Sequence, residues 1–376
     1  MDKTIGEVLQ ELVDLPPESD EWELAGFDRE MVADSSLYYQ LGRLTKVELD
    51  QIRQYLQVKR ASSLRKNELV PVLAEAIKIK APRILEFIDE ITYDYLVELV
   101  EGKGLLRKAD EVFLGTLLYL RQAGLAFAGE MSGVGPVLVM PRELVEMLAP
   151  LLKQDATRQG VKDNQRALMA ARGLLAHYGL MDSLELEKRL QGIGSPVTDD
   201  VFTGLQFGVG LANGYFEMHG PFICDKRVVE REELLQKQQE RPDLDYYPLT
   251  LKRAIAMGEQ LYLDWTEEHR DLFDYLEDDC GLDDDETSEA VAFFLFAVNN
   301  RLSATLLLSE WGKIGIEVAE YQQVIDLLTL VEAARKKTRL WALKGHTPDE
   351  VEELGRRPKL RVLRSDGKHR TRGQRE

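Results

Sequence analysis

The chain has 376 residues, 44% hydrophobic and 30% charged, with a formal net charge of −18. This is the composition of a water-soluble folded protein long enough for two or more domains. The acidic balance excludes blanket attraction to nucleic acid or an anionic membrane, so any affinity for a polyanion must come from locally concentrated cations.

Residues 1–36 form an acidic leader, with Lys3 and Arg29 against eleven acids. The N-terminal stretch MDKTIGEVLQELVDL lacks the apolar core of a signal peptide. Its spacing predicts one short helix at Ile5–Val13. A Pro-broken solvated stretch follows, in which Trp22, Leu24 and Phe27 are candidates for stapling the leader to a neighbour.

Residues 37–81 invert the sign. Thr45 followed by Glu48 is a capping box, and Leu49, Ile52 and Leu56 then repeat at helical spacing. Ser63 is the candidate N-cap of a second helix with Leu69, Val72, Leu73, Ala76 and Ile77 on its apolar side. Between the helices lies a basic loop, LQVKRASSLRK. Loop cations and the free N–H groups at a helix start can meet phosphates, positioning a protein on nucleic acid without reading sequence. The candidate nucleic-acid-binding residues are Arg43, Lys46, Arg53, Lys59, Arg60, Ser62, Ser63, Arg65 and Lys66. Four to six such contacts imply weak, salt-dependent binding to DNA or RNA. The competing reading is a solvated basic face that pairs with the acidic leader.

Residues 82–152 read as helices at about 82–90, 92–101 and 107–123, then a hairpin within LAFAGEMSGVGPVLVMP. Three helices and a hairpin is the order of a winged helix. Residues 160–224 repeat the order: a helix in NQRALMAARGLLAHYGL, a second at 183–191 started by Asp182 and Glu185, a third at 198–211, then an Asn-Gly turn and a short hairpin. A DNA-reading third helix carries polar and basic residues. The first module offers Arg107, Lys108 and Arg121 alongside Asp110 and Glu111, which leaves it undecided. The second offers Thr198, Asp199, Asp200, Thr203 and Gln206 with no cation, which points to a structural or protein-contacting unit.

Residues 225–250 are a polar connector and 251–354 a helical bundle. The bundle holds thirteen acids between Asp264 and Glu289, with Arg270 the one cation there. The run EDDCGLDDDETSEA lacks the spacing of a calcium loop and reads as a helix start. Its apolar runs at 293–298 and 302–308 are separated by Asn299, Asn300 and Arg301, short of the roughly 18 residues a membrane helix needs. Residues 355–376 are a basic tail with nine Lys and Arg, expected to be disordered.

No catalytic constellation emerges. His177, His219, His269, His346 and His369 show no metal-ligand spacing, and neither a phosphate loop nor a G-x-S-x-G elbow occurs. His177 reads as a core or cap histidine. His346 precedes helix-start grammar in Thr347, Pro348 and Glu350. Cys224 and Cys280 are too few for a disulfide framework or a Cys-rich zinc site. The expectation is a reduced, cytoplasmic, non-enzymatic protein with no cofactor, metal or membrane attachment.

The stretch LGRLTKVELDQIRQYLQV…SSLRKNELVPVLAEAI, about residues 37–79, resembles the SAP-like fold of the Rho termination factor N-terminal domain. Leu-Thr-Lys-x-x-Glu-Leu in the first helix and Arg-Lys-x-Glu-Leu in the second carry the likeness. Where that family usually has a loop glycine, this chain has Arg60 and Ala61. RPDLDYYPLT and TRLWALKGHTPDEV are similar to segments of a bacterial, mainly Firmicutes, group of Rho-N-domain-containing proteins. Relatives there often end in a zinc-binding SEC-C tail; this tail has no cysteine, so zinc is not carried over. The resemblance implies a nucleic-acid-binding module, with a role in transcription or its regulation, and no ATPase.

The fold expectation is therefore mainly α and multi-domain: a SAP/Rho-N-like helix–loop–helix, two winged-helix-like modules with short β-hairpins, and a C-terminal helical bundle. The alternative function is a protein-interaction scaffold whose basic loop docks on an acidic protein surface, with the acidic modules offering a protein partner their own surface.

Overall fold

The computed structural model describes residues 18–356, apart from 261, 314, 315 and 317–320. The helix expected at Ile5–Val13 and all but the first two residues of the tail at 355–376 lie outside the described residues. What is described is mainly helical, with two small antiparallel three-stranded sheets. Among the described residues no helix is long and apolar enough to cross a membrane.

The described part of the leader is docked. Helix α1 (Glu18–Ala25) packs on α6 (Leu114–Gln122). The Trp22 and Phe27 rings lie 4.8 Å apart, and Phe27 is buried, whereas Leu24 stays 52% exposed and staples nothing. Residues 29–31 run parallel to strand β2 (Phe127–Met131), through Glu130 N–H donating to the Arg29 carbonyl at 2.8 Å and Met31 N–H to the Glu130 carbonyl at 2.6 Å.

Helix α2 (Leu37–Arg43) is capped by Ser36, and α3 (Lys46–Tyr55) by the Thr45–Glu48 capping box expected from sequence. Helix α4 (Lys66–Ile84) differs from expectation at both ends. Ser63 is exposed in a turn and does not cap it; Arg65 holds the N-cap position, and the Glu68 carboxylate accepts the Arg65 N–H at 2.8 Å. The helix also continues through Pro71 and Pro82 instead of restarting at 82. Each proline removes one helical hydrogen bond. The buried face at Leu69, Leu73, Ile77, Ala81 and Ile84 runs past both and offsets that loss.

After α5 (Glu90–Glu101) comes a strand that the sequence does not announce, β1 (Leu105–Arg107). The expected helix at 107–123 is thus shortened to α6, because the free edge of β3 (Gly135–Val139) is filled by Leu106 opposite Leu138. The next stretch repeats this connectivity. Helices α7 (Arg142–Leu152) and α8 (Asp155–Tyr178) lead to β4 (Leu180–Asp182). Then come α9 (Ser183–Gly192), α10 (Asp199–Leu205), β5 (Glu217–His219) and β6 (Phe222–Cys224). In each sheet the last strand lies between the first and the second. The expected helix at 198–211 breaks into a wide π-turn at Gln206–Gly210, where Gly208 leaves helical geometry. Asn213–Gly214 does not turn the second hairpin. The chain between β5 and β6 reverses at Gly220–Pro221, and Asn213 instead donates to buried Asp89 at 2.6 Å.

Helix α11 (Arg231–Gln239) follows β6, and one continuous hydrophobic core runs from Ala25 to Met257, joining α2–α4, both sheets and α12 (Leu251–Gln260). Helices α8 and α12 touch backbone to backbone. A Cβ on Gly173 would lie 1.8 Å from the Ala254 carbonyl oxygen, and one on Gly258 would lie 2.0 Å from that of Met169. A second core is built by α13 (Glu267–Asp278), α14 (Asp284–Asn299), α15 (Ala304–Lys313) and α16 (Tyr321–Lys337), around Leu272, Phe294, Trp311 and Leu327. Asp283 caps α14 with Glu286 reaching back, as its acid-rich start implies.

Residues 241–250 and 338–351 interlock across about a hundred residues of chain. Lys344 donates to the Arg241 and Leu244 carbonyls, Tyr247 N–H to the Lys344 carbonyl, and Trp341 Nε1 to the Ala176 carbonyl. Arg339 binds Asp264 at 2.6 Å and Glu350 at 3.0 Å. His346 lies beside the Thr347–Glu350 cap of α17 (Pro348–Arg356), as expected. His177 is indeed a core residue, and neither of its ring nitrogens has a hydrogen-bond partner among the described residues.

Candidate nucleic-acid interface

The loop between α3 and α4 is held from both sides. Leu56 and Ala61 are buried and anchor it, and the Lys80 ammonium from α4 caps the Leu56 carbonyl at the end of α3. Between these anchors the backbone takes the left-handed conformation twice, at Gln57 (φ 50°) and Arg60 (φ 58°). Glycine adopts that conformation without steric cost, and arginine does not. Arg60 thus places a cation at a position whose backbone calls for glycine geometry.

The nine candidate residues divide by what they touch. Arg43 turns toward the leader, with Nη1 3.1 Å from Met31 Sδ and 3.3 Å from Gln40 Oε1. Lys46 and Arg53 both hold Asp50, each at 2.8 Å. Those two contacts, Lys46 first, keep the Asp50 carboxyl below its usual range. These three cations are engaged within the chain. Lys59, Arg60 and Arg65 are exposed and Lys66 is half-buried, and none of the four has an ion-pair partner among the described residues. Ser62 and Ser63 are exposed, and their hydroxyls have no hydrogen-bond partner among the described residues. The structure therefore groups Lys59, Arg60, Ser62, Ser63, Arg65 and Lys66 on one loop, and directs Arg43, Lys46 and Arg53 elsewhere.

Described leader residues do not pair with that loop. The leader's own cation, Arg29, binds Glu48 at 2.9 Å, and Arg121 reaches the same carboxylate at 3.2 Å. Burial raises the Glu48 pKa, but the Thr45 backbone hydrogen bond and Arg29 outweigh it and leave the group below its usual range. The leader is thus fastened to the front of α3, at the opposite end from the basic loop.

A groove of about 530 Å³ opens beside the start of the loop. One wall is the C-terminal part of α4 with Lys80 and Arg83 and the 3-10 turn after it with Phe87; the other is α10 and the π-turn, with Asp200 and Phe207. Sequence reading missed this feature, because its walls are more than a hundred residues apart. One signal was available: Phe207 follows Gln206 and precedes Gly208, where a helix read as continuous has a residue able to leave helical geometry.

No cluster of three or more metal-ligating side chains occurs among the described residues. In comparisons with known proteins, no family model matched the chain, and no curated protein or solved structure gave a significant match.

Proposed function

We propose that this chain binds nucleic acid through the phosphate backbone, using the loop between α3 and α4. The observation that carries this is the division of cations. Arg43, Lys46 and Arg53 are satisfied within the chain, while Lys59, Arg60, Arg65 and Lys66 project without acidic partners among the described residues. Four cations on one turn, in a chain of net charge −18, make a local attractor for phosphate inside a repelling field. The repulsion keeps affinity low and confines contact to the loop. The likeness of residues 37–79 to the Rho-N and SAP modules supports the same reading, and a role in transcription or its regulation follows from that likeness alone.

The two repeated modules are winged-helix-like in this reading. Each has the order helix, strand, two helical segments, strand, strand, with the last strand central in the sheet. In the first module the second helix is reduced to a turn at Ala109–Glu111. The third helix of the second module begins with Asp199 and Asp200, which repel phosphate, so that helix does not enter a duplex groove and the body of the module is a structural or protein-contacting unit.

The test is a salt titration of binding to single- and double-stranded oligonucleotides. Wild-type affinity should fall steeply with salt, and Lys59→Ala with Arg65→Ala should reduce the log–log slope by about 2 for duplex. An unchanged affinity and slope would refute the loop assignment. No binding at low salt would favour the scaffold reading.

A further inference from the structure

Phe207 stands 56% exposed on the π-turn that follows α10, while its neighbours Gln206 and Val209 are buried. The turn is irregular at Gly208 (φ −103°, ψ −110°), beside the Tyr55 and Tyr119 rings. Wide turns of this kind inside helices are found disproportionately at functional sites. Here the turn holds an aromatic face at the mouth of the groove whose other wall carries Lys80 and Arg83. The Arg83 guanidinium lies 5.8 Å from the centroid of the Phe87 ring, which keeps its charge along that wall. The groove starts at Leu56 and Gln57, so it is continuous with the basic loop.

We infer that this groove receives one unpaired base of a single-stranded nucleic acid, stacked on Phe207, with its flanking phosphate on Arg83 and on the donors of the Lys80 ammonium that the Leu56 carbonyl leaves over. The inference rests on the nucleic-acid reading of the loop and names the strand state it serves. Three observations favour this occupant. An exposed aromatic face with cations alongside is the arrangement that binds single strands without sequence preference. A groove of about 530 Å³ is of the size that holds a single small ligand such as one nucleotide. Asp200 on the opposite wall would oppose a second phosphate, but its carboxylate can accept a hydrogen bond from an N–H donor of a base, which in thymine is N3–H.

The experiment uses the full chain and three probes: a twelve-residue oligothymidylate, the same strand made abasic throughout, and a duplex of equal length. Wild type should bind the oligothymidylate at least about fivefold more tightly than the abasic strand. Phe207→Ala should remove most of that preference and leave the salt slope and the duplex affinity unchanged. Phe207→Trp should restore it. Lys59→Ala with Arg65→Ala should instead weaken binding to all three probes and lower the slope. If Phe207→Ala leaves the preference intact while the loop variant weakens binding, the groove assignment is wrong and the loop reading stands. If wild type binds none of the probes, both fail.

Discussion

The Arg339 guanidinium carbon lies 3.6 Å from the centroid of the Tyr247 ring, with the same side chain ion-paired to Asp264 and Glu350. Arg339 is largely buried, so these contacts are made with little solvent screening. Removing it leaves two carboxylates short of a partner and uncovers the ring. Arg339→Met should cost about 3 kcal/mol of stability, and Arg339→Lys should recover only part, since an ammonium cannot form the planar fork or stack on the ring. Urea denaturation of the three proteins checks the order; equal midpoints would show that the clasp is not a stability element.

Arg60 offers a case in which stability and binding should move in opposite directions. Its left-handed backbone is strained for arginine and natural for glycine. Arg60→Gly should therefore stabilise the fold by roughly 1 kcal/mol while weakening oligonucleotide binding. Thermal denaturation and a binding titration on one preparation measure both. A fall in stability would mean that the Arg60 side chain contributes packing that outweighs the strain.

Two buried histidines set a pH dependence. Burial, then the nearby Arg339 and Arg253, pushes His177 down to about 3. Burial pushes His269 down to about 4. His269 accepts the Thr266 N–H at Nδ1 and meets the Thr338 hydroxyl at Nε2, a neutral ring held on both sides. Both groups bind a proton more readily when unfolded, where the pKa is about 6.5. Stability is accordingly full above pH 6.5 and is lost as pH falls from there toward the folded values. Each histidine contributes a slope of roughly 1.4 kcal/mol per pH unit in that window. Denaturant midpoints at pH 7.5, 6.5 and 5.5 should be level over the first step and fall over the second, before most carboxylates titrate.

The α8–α12 crossing depends on two hydrogens in place of methyl groups. Gly173→Ala drives a Cβ against the Ala254 carbonyl, a backbone atom that cannot rotate away. The helices must separate, at a cost of about 3 kcal/mol, and the clasp around Tyr247 should loosen with them. Limited proteolysis should then open the chain near residues 240–250. Gly160→Ala on the same helix meets nothing within 4 Å and should be neutral or slightly stabilising, which makes it the control.

What could be read from the sequence was whatever is local in it. The helix starts at Thr45–Glu48 and Thr347–Glu350 are three-residue relationships, and both are formed, whereas Asp182 caps its helix without Glu185, which binds Arg189 instead. Strands β1 and β4 have three residues each, too few for alternation to show, and each exists because the edge of a distant hairpin needed filling. Pro82 misled for a similar reason: the burial that keeps α4 continuous through it comes from elements far along the chain. Among the candidate binding residues, charge and loop position were legible; Lys46 and Arg53 converge on Asp50 one helical turn away, a pairing that helical spacing allows and that removes both from the candidate set. The groove beside the loop brings Lys80 and Phe207 together, and no local pattern predicts that.

The pairing of residues 29–31 with β2 has a consequence beyond fastening the leader. The outer edge of β2 would otherwise present unsatisfied N–H and C=O groups, a template on which other copies could add strands. Residues 29–31 occupy that template from within the same chain, and Arg29 pins them through Glu48. The leader therefore works as an edge guard against self-association. A chain shortened to begin at residue 37 should keep its basic loop yet form aggregates, and short peptides spanning residues 26–34 should suppress them.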